Sequence, residues 1–381
     1  MKGNSKPGGK NKRVLINGSM ITKVPTGVRI HNIELLSYLL PKLELNHIDY
    51  HVFCYDAEIL RSAVPEVKIK PITLGTYIDF LFKRFLSIHR ILWNIFLLKK
   101  IALQYDLVYS PSTYGGFIKK DQIITIHDLI ALSFPKQHKF QFLYYKYLLP
   151  VILKHCTKII AISNFTKTEI LRCYPFIKSH QVTVIKNGID HIKDTSDAES
   201  DILVKNMTGG KDFCLSVGAS YYHKNIHSIL KVAALLKNDN VNFVIVGQPT
   251  SYYKALEKQC KKQDLKNVLL LNYVSNATLS SLYKNTFLHI YISLYEGFGF
   301  PPAEAAFFGT NSLISNHPAL VEIYGSCFPI AHSKKTEDIA LQIKESHHVQ
   351  HKTSAFEYLR SLYNWNNAAF EVFKVIQDEH C

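Results

Sequence analysis

The chain lacks the marks of several common protein classes. No stretch approaches the roughly 18 uncharged apolar residues of a spanning helix, so a membrane-embedded chain is not expected. No C-x-x-C pair occurs. The seven cysteines (Cys54, Cys156, Cys173, Cys214, Cys260, Cys327 and Cys381) are odd in number and scattered. That pattern excludes a disulfide framework and a cysteine-built zinc site, and fits reduced thiols in the cytoplasm. There is no D-x-D, so no metal–diphosphate clamp is indicated. Residues 1–13 are basic and polar without an apolar core, which argues against a secretory signal. Acid is in short supply: 30 Asp and Glu face 45 Lys and Arg, a net charge of +15. Such a chain usually meets an anion, whether nucleic acid, a membrane surface or a phosphorylated small molecule. Arginine is scarce as well, confined to positions 13, 29, 61, 84, 90, 172 and 360. Nucleic-acid readers favour arginine forks, so no nucleic-acid partner is expected.

What is present is ordinary globular material, 47% hydrophobic and 20% charged, over 381 residues. That length suits two domains better than one. Short apolar runs alternate with longer helical stretches. Strands are expected at 14–17, 50–55, 67–72, 107–110, 122–126, 158–162, 182–186, 213–217, 242–246, 268–271, 288–292 and 312–315. Helices are expected at 28–40, 166–174, 226–237, 252–262 and 277–284. Alternation of this kind means parallel sheets wrapped by helices, and the strands are too many for one sheet. The expected fold class is α/β, with two Rossmann-like doubly wound domains at 1–190 and 211–365. The join is the polar, acidic stretch 191–211, which contains Gly209-Gly210. A final helix at 366–381 is expected to pack back on the first domain. Ser163 and Asn164 read as caps of the helix that follows them.

Two basic, aromatic stretches invite a membrane reading. Residues 77–103 carry Lys83, Arg84, Arg90, Lys99 and Lys100 among Phe, Leu and Ile, and can lie as an amphipathic helix on an anionic bilayer. The plainer alternative is a domain helix with one buried face. Residues 136–158 mix Lys with Phe142, Tyr144, Tyr145 and Tyr147, and Pro150 is expected to break that stretch into loop and helix.

The most informative segment is Glu296-Gly297-Phe298-Gly299-Phe300-Pro301-Pro302-Ala303-Glu304-Ala305, directly after an apolar strand. Glycines there permit close backbone approach to a ligand. Two prolines suit the first turn of a helix. That helix start is expected to offer N–H donors and its positive dipole end to an anion. Two carboxylates at the carboxyl end of a strand can accept hydrogen bonds from sugar hydroxyls. A structural turn with Glu304 as a dipole partner is the weaker alternative.

This segment resembles the E-x7-E motif of retaining glycosyltransferases of family 4, which have the GT-B fold. Other blocks follow in that family's order. They are Pro25-Thr26-Gly27-Val28-Arg29, Ile126-His127-Asp128-Leu129, Ala161-Ile162-Ser163-Asn164-Phe165-Thr166, Asn187-Gly188-Ile189-Asp190, and Ser216-Val217-Gly218 with His223-Lys224-Asn225. The resemblance runs from about Val14 to Trp365. It implies that Glu304 binds the donor ribose, that Glu296 faces the transferred sugar, and that backbone around Phe298, Gly299 and Phe300 touches sugar and diphosphate. It implies further that Lys224 offsets the diphosphate charge, that His127 hydrogen-bonds the sugar, and that Gly27 lets the first domain approach the phosphate or acceptor. Many members carry an Arg shortly after the position of Gly218. Here Ala219 and Ser220 stand there, and His223 precedes Lys224.

The implied activity is retaining hexosyl transfer from a nucleotide-sugar to a glycan or lipid-linked acceptor in bacterial polysaccharide biosynthesis. No metal or other cofactor is expected. The implied location is cytoplasmic, peripheral on the inner face of the membrane. Mannose from GDP-mannose is the donor the resemblance points to, with UDP-sugars and dTDP-rhamnose left open. The alternatives are a GT-B nucleotide-sugar epimerase and a non-enzymatic protein that binds anionic surfaces or nucleic acid.

Overall fold

The computed structural model describes residues 11–23, 26–73, 86–239, 241–331, 335–346 and 354–378. Pro25 and residues 77–85, with Lys83 and Arg84, lie outside them. The described strands build two sheets in which every pairing is parallel. The first contains β1 (Arg13–Gly18), β2 (Asp49–Cys54), β3 (Ile69–Pro71), β4 (Leu107–Ser110), β5 (Asp121–Ile126), β6 (Lys158–Ala161) and β7 (Val182–Val184), in the order β3-β2-β1-β4-β5-β6-β7. The second contains β8 (Phe213–Val217), β9 (Asn242–Val246), β10 (Val268–Leu271), β11 (Leu288–Tyr291), β12 (Ser312–Ser315) and β13 (Ile330–Ala331), in the order β10-β9-β8-β11-β12-β13. Central strands such as Val14–Ile16 and Phe243–Val246 are buried on both faces, which is why they read as unbroken apolar runs.

In each sheet the winding reverses beside the first strand, between β1 and β4 and between β8 and β11. Loops at the carboxyl ends of strands splay apart at such a point and leave a crevice for ligand. In the first domain that point is secured by Asn17, whose buried Nδ2 donates to Asn94 Oδ1, Ser110 Oγ and the carbonyl of Tyr114.

The helices start on side-chain caps. Thr26, Ser163, Asp197, Thr250, Ser275 and Asn364 each accept a backbone N–H from the first turn that follows. The first helix, Gly27–Leu45, runs past Pro41, where sequence alone ends it; Leu43 beyond the proline is fully buried and holds the last turn down.

Three expectations are corrected. The stretch 191–211 is not all linker: Ala198–Thr208 is a helix with a capping box at Asp197, and Val204 packs against Phe213 and Leu215 of β8. Pro150 does not break its segment. Helix runs from Lys139 to Leu153 through a widened turn at Tyr144–Leu148, where the N–H of Leu149 reaches five residues back to Tyr144. That wide turn relieves the clash a proline ring makes with the preceding carbonyls. Arg90 is not a surface cation. It is buried, donates Nε to the carbonyl of Ser19, and stands 5.0 Å from the centre of the Tyr114 ring.

The chain passes between the sheets twice, and the two passages are bound together. Ile189 N donates to the carbonyl of Tyr363, Trp365 N donates to Asp190 Oδ1 at 2.8 Å, and Trp365 Nε1 donates to His191 Nδ1. Gly188 is required here, because a Cβ at that position would overlap the Trp365 amide. The last helix, Trp365–Gln377, then lies on the first domain. Trp365, Val372 and Ile376 join the core formed by Leu35, Leu39 and Leu43 of the first helix. Truncating Trp365 therefore strikes core and junction together. We expect Trp365→Ala to cost about 3–5 kcal/mol in urea denaturation, and a loss under about 1 kcal/mol would show that the junction does not depend on the ring.

Candidate functional site

A cleft of about 420 Å³ opens between the facing carboxyl ends of the two sheets. The first domain contributes Gly27 at the start of its first helix, and His127 and Asp128 directly after β5. The second contributes His223 and Lys224 from the loop after β8, and Glu296 through Glu304 from the segment after β11. Of the candidates read from the sequence, Gly27, His127, His223, Lys224, Glu296, Phe298, Gly299, Phe300 and Glu304 all line this one space. Gly218 stands just outside it, behind the side chain of Lys224.

Local structure explains how each group is held. The loop after β8 ends at Asn225, which takes a left-handed conformation tolerated by Asn. Its Nδ2 donates to the carbonyl of Ile292, and Leu294 N donates to the carbonyl of His223. These two bonds join the loop bearing Lys224 to the segment bearing Glu296. Lys224 Nζ then donates to Glu296 Oε1 and to Tyr291 Oη, both at 2.7 Å, and the Tyr291 hydroxyl donates to the same Glu296 oxygen at 2.9 Å. Glu304 is set differently: the buried Tyr283 hydroxyl donates to its Oε2 at 2.6 Å.

The expected role of the helix start is corrected in one respect. Pro301 and Pro302 have no N–H, and the N–H groups of Ala303 and Glu304 both bond the carbonyl of Phe300. The backbone N–H groups that this turn leaves outside the helix's own bonds are those of Phe298, Gly299 and Phe300, ahead of the prolines.

Burial and charge set the ionisation. Burial pushes the Glu296 carboxyl up, but Lys224, His223 and the hydrogen bonds it accepts outweigh that and bring it below the usual value. Burial raises Glu304, only partly opposed by Tyr283 and Lys224. Burial drops His127 to about 4 and His223 to about 3, so both are neutral near pH 7. His127 Nε2 lies 3.1 Å from the carbonyl of Pro111. A carbonyl only accepts, so that nitrogen carries the proton and Nδ1 is left as an acceptor.

Sequence reading passed over several groups. Asp128 lines the cleft and bonds Ile130 N; burial pushes its carboxyl to about 6, with the Glu296 charge adding to the rise. Its place beside His127 was the available signal. Tyr291 gave none, since a tyrosine in an apolar strand reads as core. His31 likewise reads as helix interior. Its ring packs edge-on against His127 at 4.4 Å, and its Nδ1 pairs with Asn187 Oδ1.

The two domains touch beside the cleft. Gly297 lies so close to the main chain of the first domain that a Cβ there would overlap the carbonyl oxygen of His127. Leu129 N donates to the Tyr295 hydroxyl. Glu322, on the helix Pro318–Tyr324 of the second domain, accepts from Asn164 N, Asn164 Nδ2 and Phe165 N at the start of the helix Asn164–Cys173, and pairs with Lys186 at 3.2 Å.

Comparison with known proteins gives consistent matches. The model for Glycosyltransferase Family 4 matches residues 25–193, and that for Glycosyl transferases group 1 matches residues 198–356. The chain is 32% identical over 205 residues to the O-antigen chain mannosyltransferase RfbU of Salmonella typhimurium, covering 54% of each chain. It is 25% identical over 251 residues to O-antigen chain mannosyltransferase B of Escherichia coli, covering 63% of this chain and 65% of that one. The chain thus matches about half the length of the first relative and just under two thirds of the second. Among solved structures, Anabaena HepE in complex with UDP and glucose superposes with a TM-score of 0.69. That match covers 96% of this chain and 100% of that one at 15% identity, a likeness of fold.

The raised Asp128 carboxyl has a measurable consequence. It titrates near 6 in the folded protein against a reference of 3.8, so between those values the folded chain holds the extra proton. Its contribution to stability is therefore full below the lower value, falls as pH rises through the interval, and stays low above it. Asp128→Asn should be more stable than the parent at neutral pH in thermal unfolding, with the gap closing in acid. A gap that does not change with pH would show that the carboxyl is not held in this way.

Proposed function

The chain belongs to the family 4 glycosyltransferases, and on that premise we propose that it moves a hexosyl group, mannose, from a nucleotide-sugar to a glycan or lipid-linked acceptor in surface-polysaccharide synthesis, with retention at the anomeric carbon. The observation that carries the proposal is the convergence of Lys224, Glu296 and Glu304 on one cleft, opposite His127 and Gly27. The O-antigen mannosyltransferases it resembles support mannose, and they favour transfer over epimerisation.

In this reading Glu304 accepts the ribose hydroxyls, held in place by Tyr283. Backbone N–H groups at Phe298, Gly299 and Phe300, with Lys224, meet the diphosphate. As the bond from the anomeric carbon to phosphate oxygen breaks, its electron pair passes to the diphosphate. A fixed cation aimed at that growing charge lowers the barrier. Glu296 and Tyr291 hold Lys224 in position before substrate arrives, so little reorganisation is left to the reaction. His127 Nδ1 accepts a sugar hydroxyl. The acceptor hydroxyl attacks from the same face as the departing phosphate, which takes up its proton. The counter-charge comes from Lys224 rather than a divalent metal. The lipid-linked acceptor places the enzyme at the anionic inner face of the cell membrane. No helix among the described residues is long and apolar enough to cross a membrane.

Two measurements test this. Glu304→Ala should retain the fold and lose about 1.5–3 kcal/mol of donor affinity in calorimetric titration with GDP-mannose, the cost of charged hydrogen bonds; unchanged affinity would remove Glu304 from the ribose. Turnover should also persist in excess EDTA. Complete loss on chelation, restored by Mg²⁺ or Mn²⁺, would overturn the metal-free mechanism.

A further inference from the structure

A second cavity lies on the first domain, away from the cleft. It is a groove of about 760 Å³ between the helix Leu86–Leu92 and the helical run from Lys139 to Leu153. Leu86, Ile88, Ile91, Phe140, Leu143 and Tyr147 line it. Large apolar groups stand open to solvent along it: Phe140 is 77% exposed and Tyr147 58%. Monomeric proteins rarely leave contiguous apolar surface of this kind without a partner.

The charge on the segments that line the groove narrows the partner. From Asp128 to Glu169 the sequence has no acidic residue between, but six lysines, at 136, 139, 146, 154, 158 and 167. From Asp79 to Asp106 it has none either, while carrying Lys99 and Lys100. Lys99, Lys100, Lys136, Lys139 and Lys146 are exposed, and among the described residues none of them makes an ion pair. Lys146 Nζ sits 5.4 Å from the ring centres of Phe142 and Tyr147, an ammonium beside an apolar body. An apolar slot between two helical segments that carry Lys139 and Lys146 and neither Asp nor Glu matches a molecule with a hydrocarbon tail and an anionic head. A peptide helix would bring polar backbone and mixed charge to the same slot.

We propose that this groove binds an acyl chain of an anionic phospholipid, with Lys139 and Lys146 on the headgroup phosphates, and so seats the first domain on the membrane. The run from Lys139 to Leu153 also links groove to cleft: just ahead of it, Phe134 packs against Tyr222, His223 and Tyr295 of the second domain. His223 and Tyr295 line the cleft, so seating the groove keeps the cleft close to the bilayer, where a lipid-linked acceptor presents its glycan. The inference rests on the proposed lipid-linked acceptor for its purpose, but not for its test.

The test is co-sedimentation of the full chain with vesicles of phosphatidylcholine alone or with phosphatidylglycerol, at low and high salt. The parent should sediment with the anionic vesicles at low salt only. Phe140→Ser with Leu143→Ser, both at exposed positions, should weaken that binding about tenfold or more, and Lys139→Glu with Lys146→Glu should abolish it. Both variants should keep parental unfolding curves and parental affinity for GDP-mannose. Tryptophan at position 140, in Phe140→Trp, should be quenched by brominated acyl chains. Undiminished vesicle binding by the Phe140/Leu143 variant, or absence of quenching, overturns the proposal. So does sedimentation showing that the groove variants convert a dimer to a monomer without vesicles, which would make the occupant a second copy. Failure of mannosyl transfer with vesicle binding intact would overturn the function and leave the groove standing.

Discussion

The cleft depends on one steric constraint: the main chain at residue 297 and the carbonyl of His127 belong to different domains and nearly touch. Only a residue without a side chain allows that approach. It sets how far the segment from Glu296 to Glu304 stands from His127 and Asp128, and hence whether groups from both domains can reach one small molecule. The other bridging contacts, from Tyr295 to Leu129 and from Glu322 to the helix at Asn164, hold the same spacing from the sides.

The electrostatics of the cleft follow from that closeness. Burial strips the histidines of charge near neutral pH and pushes Asp128 and Glu304 toward their protonated forms. Glu296 alone among the three carboxyl groups is drawn the other way, because Lys224 lies against it. The fixed cation and its counter-ion thus form one unit, braced by the Tyr291 hydroxyl, in surroundings that are otherwise close to neutral. An anion entering such a space meets Lys224 with little competing positive charge from the imidazoles lining it.

Much of the fold was legible because its cause is local. Strands buried on both faces must be largely apolar, so β4, β8, β9 and β12 coincide with their expected ranges, as does the half-buried edge strand β10, and the Glu296–Glu304 spacing marks its turn without help from the rest of the chain. What escaped was set by partners distant in sequence. Arg90 looks like a surface cation until the Ser19 carbonyl and the Tyr114 ring are placed around it. Pro150 looks like a helix breaker unless the wide turn before it is known. The helix Ala198–Thr208 is charged enough to pass for linker, and the spacing of Val204 and Met207 is what hints that one face is covered. Two-residue β13 is too short to leave a pattern. The ionisation of Asp128 cannot be read from composition, since it depends on how the second domain closes over it.

The double passage at Gly188 and Trp365 carries a mechanical consequence. Two strands of chain that cross at one place and are bonded there act as a pivot, and relative movement of the domains must turn about it. The contact of His138 with Tyr221 and His223 joins the same two domains with no chain crossing there. Ring packing of that kind yields to a turn about the pivot more readily than the covalent passage does. The molecule is bound like a book, with its spine at residue 188 and the rings of His138 and Tyr221 among the edges that meet.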